Sequence, residues 1–378
     1  MSINSTLRKE GIKDIKPLST LEINKIASNI SEKICLAFPE HNINKSDLFI
    51  AIARLNMYKA TMPQDYSAAK YFYKNNSIYF SNDINVEDIG TLALHECIHF
   101  LQEVRNKSGK LLKLGLYNIS RGNFGMALNE AAVQLMASLA NSSQTDCVKY
   151  YDLNIKTESP DYYPIQCALI KQMLYFTGSY PLFHSTLYGD DIFKNTFILK
   201  SSEKVYKKIV YNFDLLFHYE DLLSMETTKL LSLNDSDENY KKNYYINLKI
   251  KNIKNIITKI TLETQELIVT NCFSSELRLI KNKESLENFK KRLLEFKDIL
   301  IQGENYSFYN TFYYYMLSKA DEKQELIEKY GAINYWVNSE TQLISNTQNF
   351  SYLRFFKKLK LLFENYGFSK KVKTSFSR

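Results

Sequence analysis

Glycine and proline are scarce in this sequence, with 11 glycines and 6 prolines among 378 residues. A typical globular protein has roughly 12% of its residues as glycine or proline, because both residues build turns. The shortage argues against a sandwich, barrel or propeller of many short strands and favours long helices. Hydrophobic residues make up 45% of the chain and charged residues 24%, which is ordinary for a globular protein and excludes global disorder.

Cysteines are few, odd in number and widely spaced, and no two of them form a CxxC pair. They are Cys35, Cys97, Cys147, Cys167 and Cys272. This pattern excludes a disulfide framework and a cysteine-based zinc ribbon, so we interpret these residues as reduced, mostly buried thiols.

Long apolar runs are also missing. The best of them, LFIAIA at 48–53, ends at Arg54, whereas a membrane-spanning helix needs about 18 such residues. The basic N-terminal segment is not followed by the apolar stretch of a secretory signal. We therefore expect a cytoplasmic protein.

The spacing of apolar residues predicts helices through much of the chain. The predicted helices cover 20–38, Ser46 to about Ala60, Asn85 to about Arg105, 126–140, 163–177 and nearly everything beyond residue 200. Lys70–Tyr73 and Ser77–Ser81 are aromatic and β-branched and predict a β-hairpin, with Ser77–Ser81 as an edge strand. The polar segment 234–243 is a candidate linker or exposed loop.

The predicted helix that begins at Asn85 contains the motif HExxH, formed by residues 95–99. Residues four apart lie on the same face of a helix, so His95 and His99 can both reach one Zn²⁺ at ~2.0–2.1 Å. Glu96 is near enough to address a water on the metal without being a ligand. Cys97 points to another face of the helix, towards the core. HExxH sequences also occur on ordinary surface helices, so a purely structural role stays open.

A third ligand would complete a catalytic zinc site, which commonly has three protein ligands. The metzincin extension of the motif is absent, because Gln102 and Arg105 stand where that pattern needs glycine and histidine. Glu130 lies on the predicted helix 126–140 among apolar residues. A buried carboxylate needs a partner, and a metal ion would supply one.

Residues from about 70 to 200 resemble the thermolysin-type gluzincin site found in bacterial zincin-like proteins. The matching segments are SIYFS, TLALHECIHFLQ, LGLYNISRGNFG and ALNEAAVQ. The resemblance implies that His95, His99 and Glu130 are zinc ligands and that Glu96 is the general base. This sequence departs from the family pattern at Gln134, where the family has an Asp that accepts a hydrogen bond from a ligand histidine. The Gln134 amide oxygen can accept the same bond without the negative charge that raises ligand basicity.

The resemblance implies a zinc-dependent peptidase that acts on a peptide or protein substrate. Such an enzyme also needs a donor to the oxyanion, and the sequence leaves four candidates open. They are Tyr162, Tyr163, His184 and His218. The alternative function is an inactive zincin-fold protein that binds a protein partner through its helical C-terminal half.

We predict a mostly helical α+β fold in two domains. Residues 1–200 would form a zincin-like domain with a small antiparallel sheet, and residues 201–378 an all-helical domain. The net charge is +8, and residues 355–378 form a basic tail with seven basic residues and one acidic residue. We interpret this tail as a solvated terminus rather than a contact for nucleic acid or an anionic membrane.

Overall fold

The computed structural model describes residues 3–63, 69–119, 124–233, 237–304 and 306–330. Over these ranges the chain has the predicted mostly helical α+β fold. Its helices are α1 (Ile3–Lys9), α2 (Thr20–Ala37), α3 (Lys45–Ala53), α4 (Thr91–Leu101), α5 (Met126–Ala140), α6 (Pro164–Thr177), α7 (Ser179–Tyr188), α8 (Ile192–Lys200), α9 (Glu203–Leu231), α10 (Asp237–Leu279), α11 (Lys283–Glu295) and α12 (Phe308–Tyr330). Its strands are β1 (Lys13–Pro17), β2 (Asn56–Thr61), β3 (Ala69–Phe72), β4 (Ser77–Ser81), β5 (Glu103–Arg105), β6 (Leu111–Leu114), β7 (Tyr117–Asn118), β8 (Asp146–Tyr150), β9 (Leu153–Thr157) and β10 (Gln302–Gly303).

The largest sheet has four strands in the order β1-β2-β4-β3. The hairpin β3-β4 forms as predicted, with Tyr71 opposite Ile78 in antiparallel register. β4 is not the edge strand, however, because β2 pairs with it in parallel on its other side. The two edge strands of the sheet are therefore β1 and β3, and β3 packs against α4.

The predicted helix from Ser46 to Ala60 is only partly correct. Its N-cap is Asn44, whose side chain accepts from the Ser46 N–H at 2.9 Å, and the helix ends at Ala53. Residues 56–61 form β2 instead of continuing the helix. The pairing partner of β2 lies about twenty residues later in the chain, so tertiary pairing overrides the local helical pattern here.

The helix α4 is shorter than predicted at both ends. The Asn85 side chain accepts from the Glu87 N–H in a tight turn, and the helix begins only after Gly90. Glu87 and Asp88 form ion pairs with lysines of α2 rather than sitting in the first turn of α4. At the other end, 103–105 form β5, which pairs with β6.

The other helix predictions within 20–177 are confirmed as α2, α5 and α6. The predicted linker at 234–243 is wrong for 237–243, which are the first residues of the long helix α10. Residues 234–236 and the basic tail at 355–378 lie outside the described residues. None of the described helices combines the length and apolar character that a bilayer crossing requires.

Helices from the second half of the chain pack directly on the first half. α9 lies against α5, α10 lies against α6, and β10 extends the β8-β9 sheet. The buried Gln172 of α6 donates to Gln265 Oε1 of α10 at 2.6 Å and also to the Ile299 carbonyl. One hydrophobic core runs through both halves. The predicted division at about residue 200 stays a prediction.

The N-terminus of α5 is capped by a side chain from α9. Gly125, at the N-cap position of α5, has a φ of 89° and no side chain to offer. Asp214 supplies the missing acceptors, because its two carboxylate oxygens accept from the Gly125 N–H at 2.7 Å and the Ala127 N–H at 3.1 Å. A carboxylate at a helix N-terminus also interacts favourably with the helix dipole. Asp214 therefore fixes the start of the helix that carries Glu130.

Replacing Asp214 with alanine is expected to lower the free energy of unfolding by about 1–2 kcal/mol, because two N–H groups of α5 lose their acceptor. Urea denaturation measures this loss. Asp221→Ala is the control, since Asp221 is an exposed aspartate of the same helix, and its change should stay within about 0.5 kcal/mol. Equal stability of the two variants would contradict the capping role.

Candidate metal centre

The structure brings His95, His99 and Glu130 together. Both histidines project from α4 and the glutamate from α5, which packs against it. Glu130 Oε2 lies 3.4 Å from each histidine Nε2, and the two Nε2 atoms are 2.9 Å apart. Within the described part of the chain, these residues form the one group of at least three His, Cys, Asp or Glu donors close enough to share a metal ion.

The three donor atoms are spaced like three corners of a zinc coordination tetrahedron. With zinc–ligand distances of about 2.0–2.1 Å, the ligand atoms of a tetrahedral site lie about 3.3 Å apart. Two of the three separations are 3.4 Å, and the third is somewhat shorter. The donor set of two imidazoles and one carboxylate is also one that Zn²⁺ binds. The triad can therefore accept zinc with small side-chain movements.

A chain of hydrogen bonds fixes the tautomer of His95. The Ser159 hydroxyl donates to the Tyr162 carbonyl at 2.5 Å and so accepts from Gln134 Nε2 at 2.9 Å. The Gln134 amide oxygen is thereby turned towards His95 Nδ1, at 2.9 Å, where it accepts the ring N–H. The lone pair of His95 Nε2 is left pointing into the triad. Gln134 thus makes the bond that the sequence suggested for its amide oxygen.

His99 is held on its other nitrogen by Gln102, which lies one turn later at the end of α4. Gln102 Nε2 is 2.6 Å from His99 Nδ1, while Gln102 Oε1 is buried with no hydrogen-bond partner among the described residues. In this arrangement the proton of His99 is on Nε2 and points to His95. A half-turn of the Gln102 amide exchanges the positions of its oxygen and nitrogen. Gln102 would then accept from the Nδ1–H of His99, and the Nε2 atom of His99 would be free to bind a metal.

Gln102 is positioned by a glycine that leaves no room for a side chain. Gly115 has a φ of 51°, and a Cβ atom there would lie 2.5 Å from Gln102 Oε1 and 2.6 Å from the Thr186 carbonyl. The Gly115 N–H also donates to the Gln102 carbonyl at 3.0 Å. Sequence analysis missed both residues, because Gln102 was considered only as a departure from the metzincin pattern.

The pKa values of His99 and Glu130 reflect their mutual attraction. Burial alone would lower the pKa of His99, but the nearby charges of Glu130 and Glu96 outweigh it, so the pKa is raised. Burial alone would raise the pKa of Glu130, but the two histidines outweigh it, so this pKa is held well below its usual range. Without a metal, the negative charge of Glu130 thus favours a proton on His99.

Glu96, the candidate general base, is buried and attached to the edge of the sheet. Its Oε2 accepts from the backbone N–H of Tyr71 on β3 at 2.7 Å. The Tyr71 side chain reaches the other way, and its hydroxyl donates to Glu103 Oε1 at 2.8 Å. The edge strand thereby orients the carboxylate that lies next in sequence to His95. This bond was not predictable from the sequence.

Of the four candidate oxyanion donors, Tyr163 contacts the triad most directly. Its ring centre is 6.4 Å from that of His95. Burial, together with the charges of Glu130 and Glu96, raises the pKa of its phenol, which therefore stays protonated and able to donate. Tyr162 is exposed and offers its carbonyl to Ser159, whereas His184 Nδ1 lies 2.6 Å from Asp190 Oδ2. His218 packs beside Tyr219 on α9.

Comparisons of the chain with protein-family models, curated proteins and solved structures give no match.

Gly115→Ala is expected to destabilise the protein more than Gly109→Ala. Both glycines have positive φ values, so each alanine should cost about 1–2 kcal/mol of backbone strain. Only the alanine at 115 also collides with Gln102 and the Thr186 carbonyl, which should cost a further 1–3 kcal/mol or so. Urea denaturation of the two variants measures the difference. Equal losses would show that Gly115 is not needed for close packing behind His99.

Proposed function

We propose that this protein is a zinc-dependent peptidase whose metal is held by His95, His99 and Glu130. The observation that carries the proposal is the near-tetrahedral spacing of the three donor atoms, with Glu96 adjacent to them on α4. The bond from His95 Nδ1–H to the Gln134 amide oxygen supports it, because metal-binding histidines usually donate their other ring N–H in this way. Gln102 can accept the corresponding bond from His99 after a half-turn of its amide group.

Bound zinc would supply Lewis acidity, which acidifies a water molecule and polarises a substrate carbonyl. The chain's own groups account for the other needs of the reaction. Glu96 is held by the Tyr71 N–H in a position to take a proton from water and return it to the leaving amine. The Tyr163 hydroxyl, kept protonated by its surroundings, can donate to the oxygen of the substrate carbonyl as negative charge develops there.

The first test is the zinc content of the purified full chain after removal of metal and reconstitution. The wild type is expected to hold one zinc per chain and Glu130→Ala much less, because the variant has two ligands instead of three. Inductively coupled plasma mass spectrometry measures the metal. A wild type that takes up no zinc under these conditions would show the proposal to be wrong.

The second test compares the wild type with Glu96→Gln on a library of quenched fluorescent peptides. The glutamine keeps an oxygen that accepts from Tyr71 N–H, so the variant should bind zinc normally but lose about 10²–10⁴-fold in rate. Zinc binding without cleavage by either protein would instead favour the alternative function, an inactive zincin-fold protein that binds a partner.

Tyr163→Phe removes only the hydroxyl group of the side chain, which is the proposed oxyanion donor. We expect kcat to fall about 10²–10³-fold, with little change in KM or in zinc content, because the donor acts mainly on charge that develops in the transition state. Tyr162→Phe is the matched control, since this neighbouring ring is exposed. Similar kcat values for the two variants would remove Tyr163 from the proposed mechanism.

A further inference from the structure

A second acidic group lies beside Tyr163, on the helix α9. The ring of Phe217 stacks on Tyr163 with centres 4.9 Å apart, and Glu220 follows one helical turn after Phe217. Gln166, one turn after Tyr163 on α6, donates to Glu220 Oε2 at 2.6 Å. These two contacts place Glu220 next to Tyr163, whose ring is in turn close to His95. Glu220 has no role in the mechanism proposed above.

Glu220 has an unused acceptor. Its Oε1 atom has no hydrogen-bond partner among the described residues, and neither does Oε1 of the fully buried Gln166. In the same part of the chain, no lysine or arginine forms an ion pair with Glu220 or with its neighbour Asp221. Burial and the charge of Asp221 raise the pKa of Glu220 to about 7, although the bond from Gln166 lowers it. A buried carboxyl oxygen without a hydrogen bond destabilises the folded protein, and a bound donor would remove this penalty.

Several aromatic residues lie in the neighbourhood of this carboxyl group. Tyr150 and Tyr151 lie at the turn between β8 and β9 with ring centres 4.2 Å apart, and the charge of Glu220 contributes to the raised pKa of each. Together with Tyr163 and Phe217 they offer aromatic surface to the stem of a long side chain and π faces to a cation. Glu220 is partly exposed as a residue, whereas its unpartnered Oε1 atom is buried.

We propose that Glu220 is the specificity residue of a subsite next to the candidate zinc centre, and that this subsite takes the lysine or arginine side chain of a peptide substrate. The subsite rests on the proposed peptidase function for its purpose, but its preference for a cation follows from the Glu220 oxygen that has no partner among the described residues. General attraction does not explain such a preference, because the whole chain has a net charge of +8 and repels cationic peptides.

The test is peptide binding to the full-length protein after treatment with zinc, with the substitution Glu96→Gln, which prevents turnover. Two fluorescein-labelled pools of random pentapeptides differ at one fixed position, which is lysine in one pool and norleucine, the same chain without the ammonium group, in the other. Fluorescence anisotropy should show about tenfold tighter binding of the lysine pool. Adding Glu220→Gln should abolish this preference, and the neutral side chain should fold normally because burial already disfavours the charge.

Glu266→Gln is the matched control. Burial raises the pKa of Glu266 to about 7 as well, but this residue lies beside Tyr306 in the helical half. The control should keep the full preference for lysine. Equal binding of the two pools, no measurable binding of either, or a preference that survives Glu220→Gln would overturn the subsite. Failure of the peptidase proposal would show instead in zinc content and cleavage, and the binding preference would remain.

Discussion

The arrangement of the site depends on one partly buried carboxylate between two imidazoles. Glu130 is attached to α5, while His95 and His99 are attached to α4, so the attraction between them holds two helices in one relative position. Hydrogen bonds with other side chains hold both histidines and the start of α5 in place. Gln134 holds His95 and Gln102 holds His99, while Asp214 fixes the start of the helix that bears Glu130. A metal ion would enter a site whose ligands are already oriented, so little conformational entropy would remain to be lost on binding.

Local patterns predicted much of this structure from the sequence. The bounds of α5 agree with prediction because MALNEAAVQLMASLA consists mostly of strong helix formers and lies between a glycine and an asparagine. The hairpin β3-β4 agrees because its turn residue Asn76 tolerates a positive φ. His95 and His99 were identified because the four-residue spacing in HExxH places both on one face of a helix. Glu130 was identified from its apolar neighbours and from the resemblance to gluzincins. Whether they bind zinc is still a prediction.

The features that escaped prediction are those that depend on contacts between distant parts of the chain. β2 has a helical pattern on its own and becomes a strand because β4 lies alongside it. Asp214 caps a helix that begins almost ninety residues earlier, and no local signal marks an aspartate in the middle of α9 as a cap. The need for glycine at position 115 comes from the close approach of Gln102 and the Thr186 carbonyl, which no local pattern reveals.

The position of α9 bears on what the second half of the chain does. Asp214, Phe217 and Glu220 recur every three residues, and this spacing places them on one face of the helix. That face supplies the cap of α5, the ring that stacks on Tyr163 and the Glu220 carboxyl group beside it. A chain cut at about residue 200 would keep all three candidate ligands and Glu96 but lose these supports. The helical half therefore contributes to the geometry of the site, and binding of a partner there would act on α5 and Tyr163 directly.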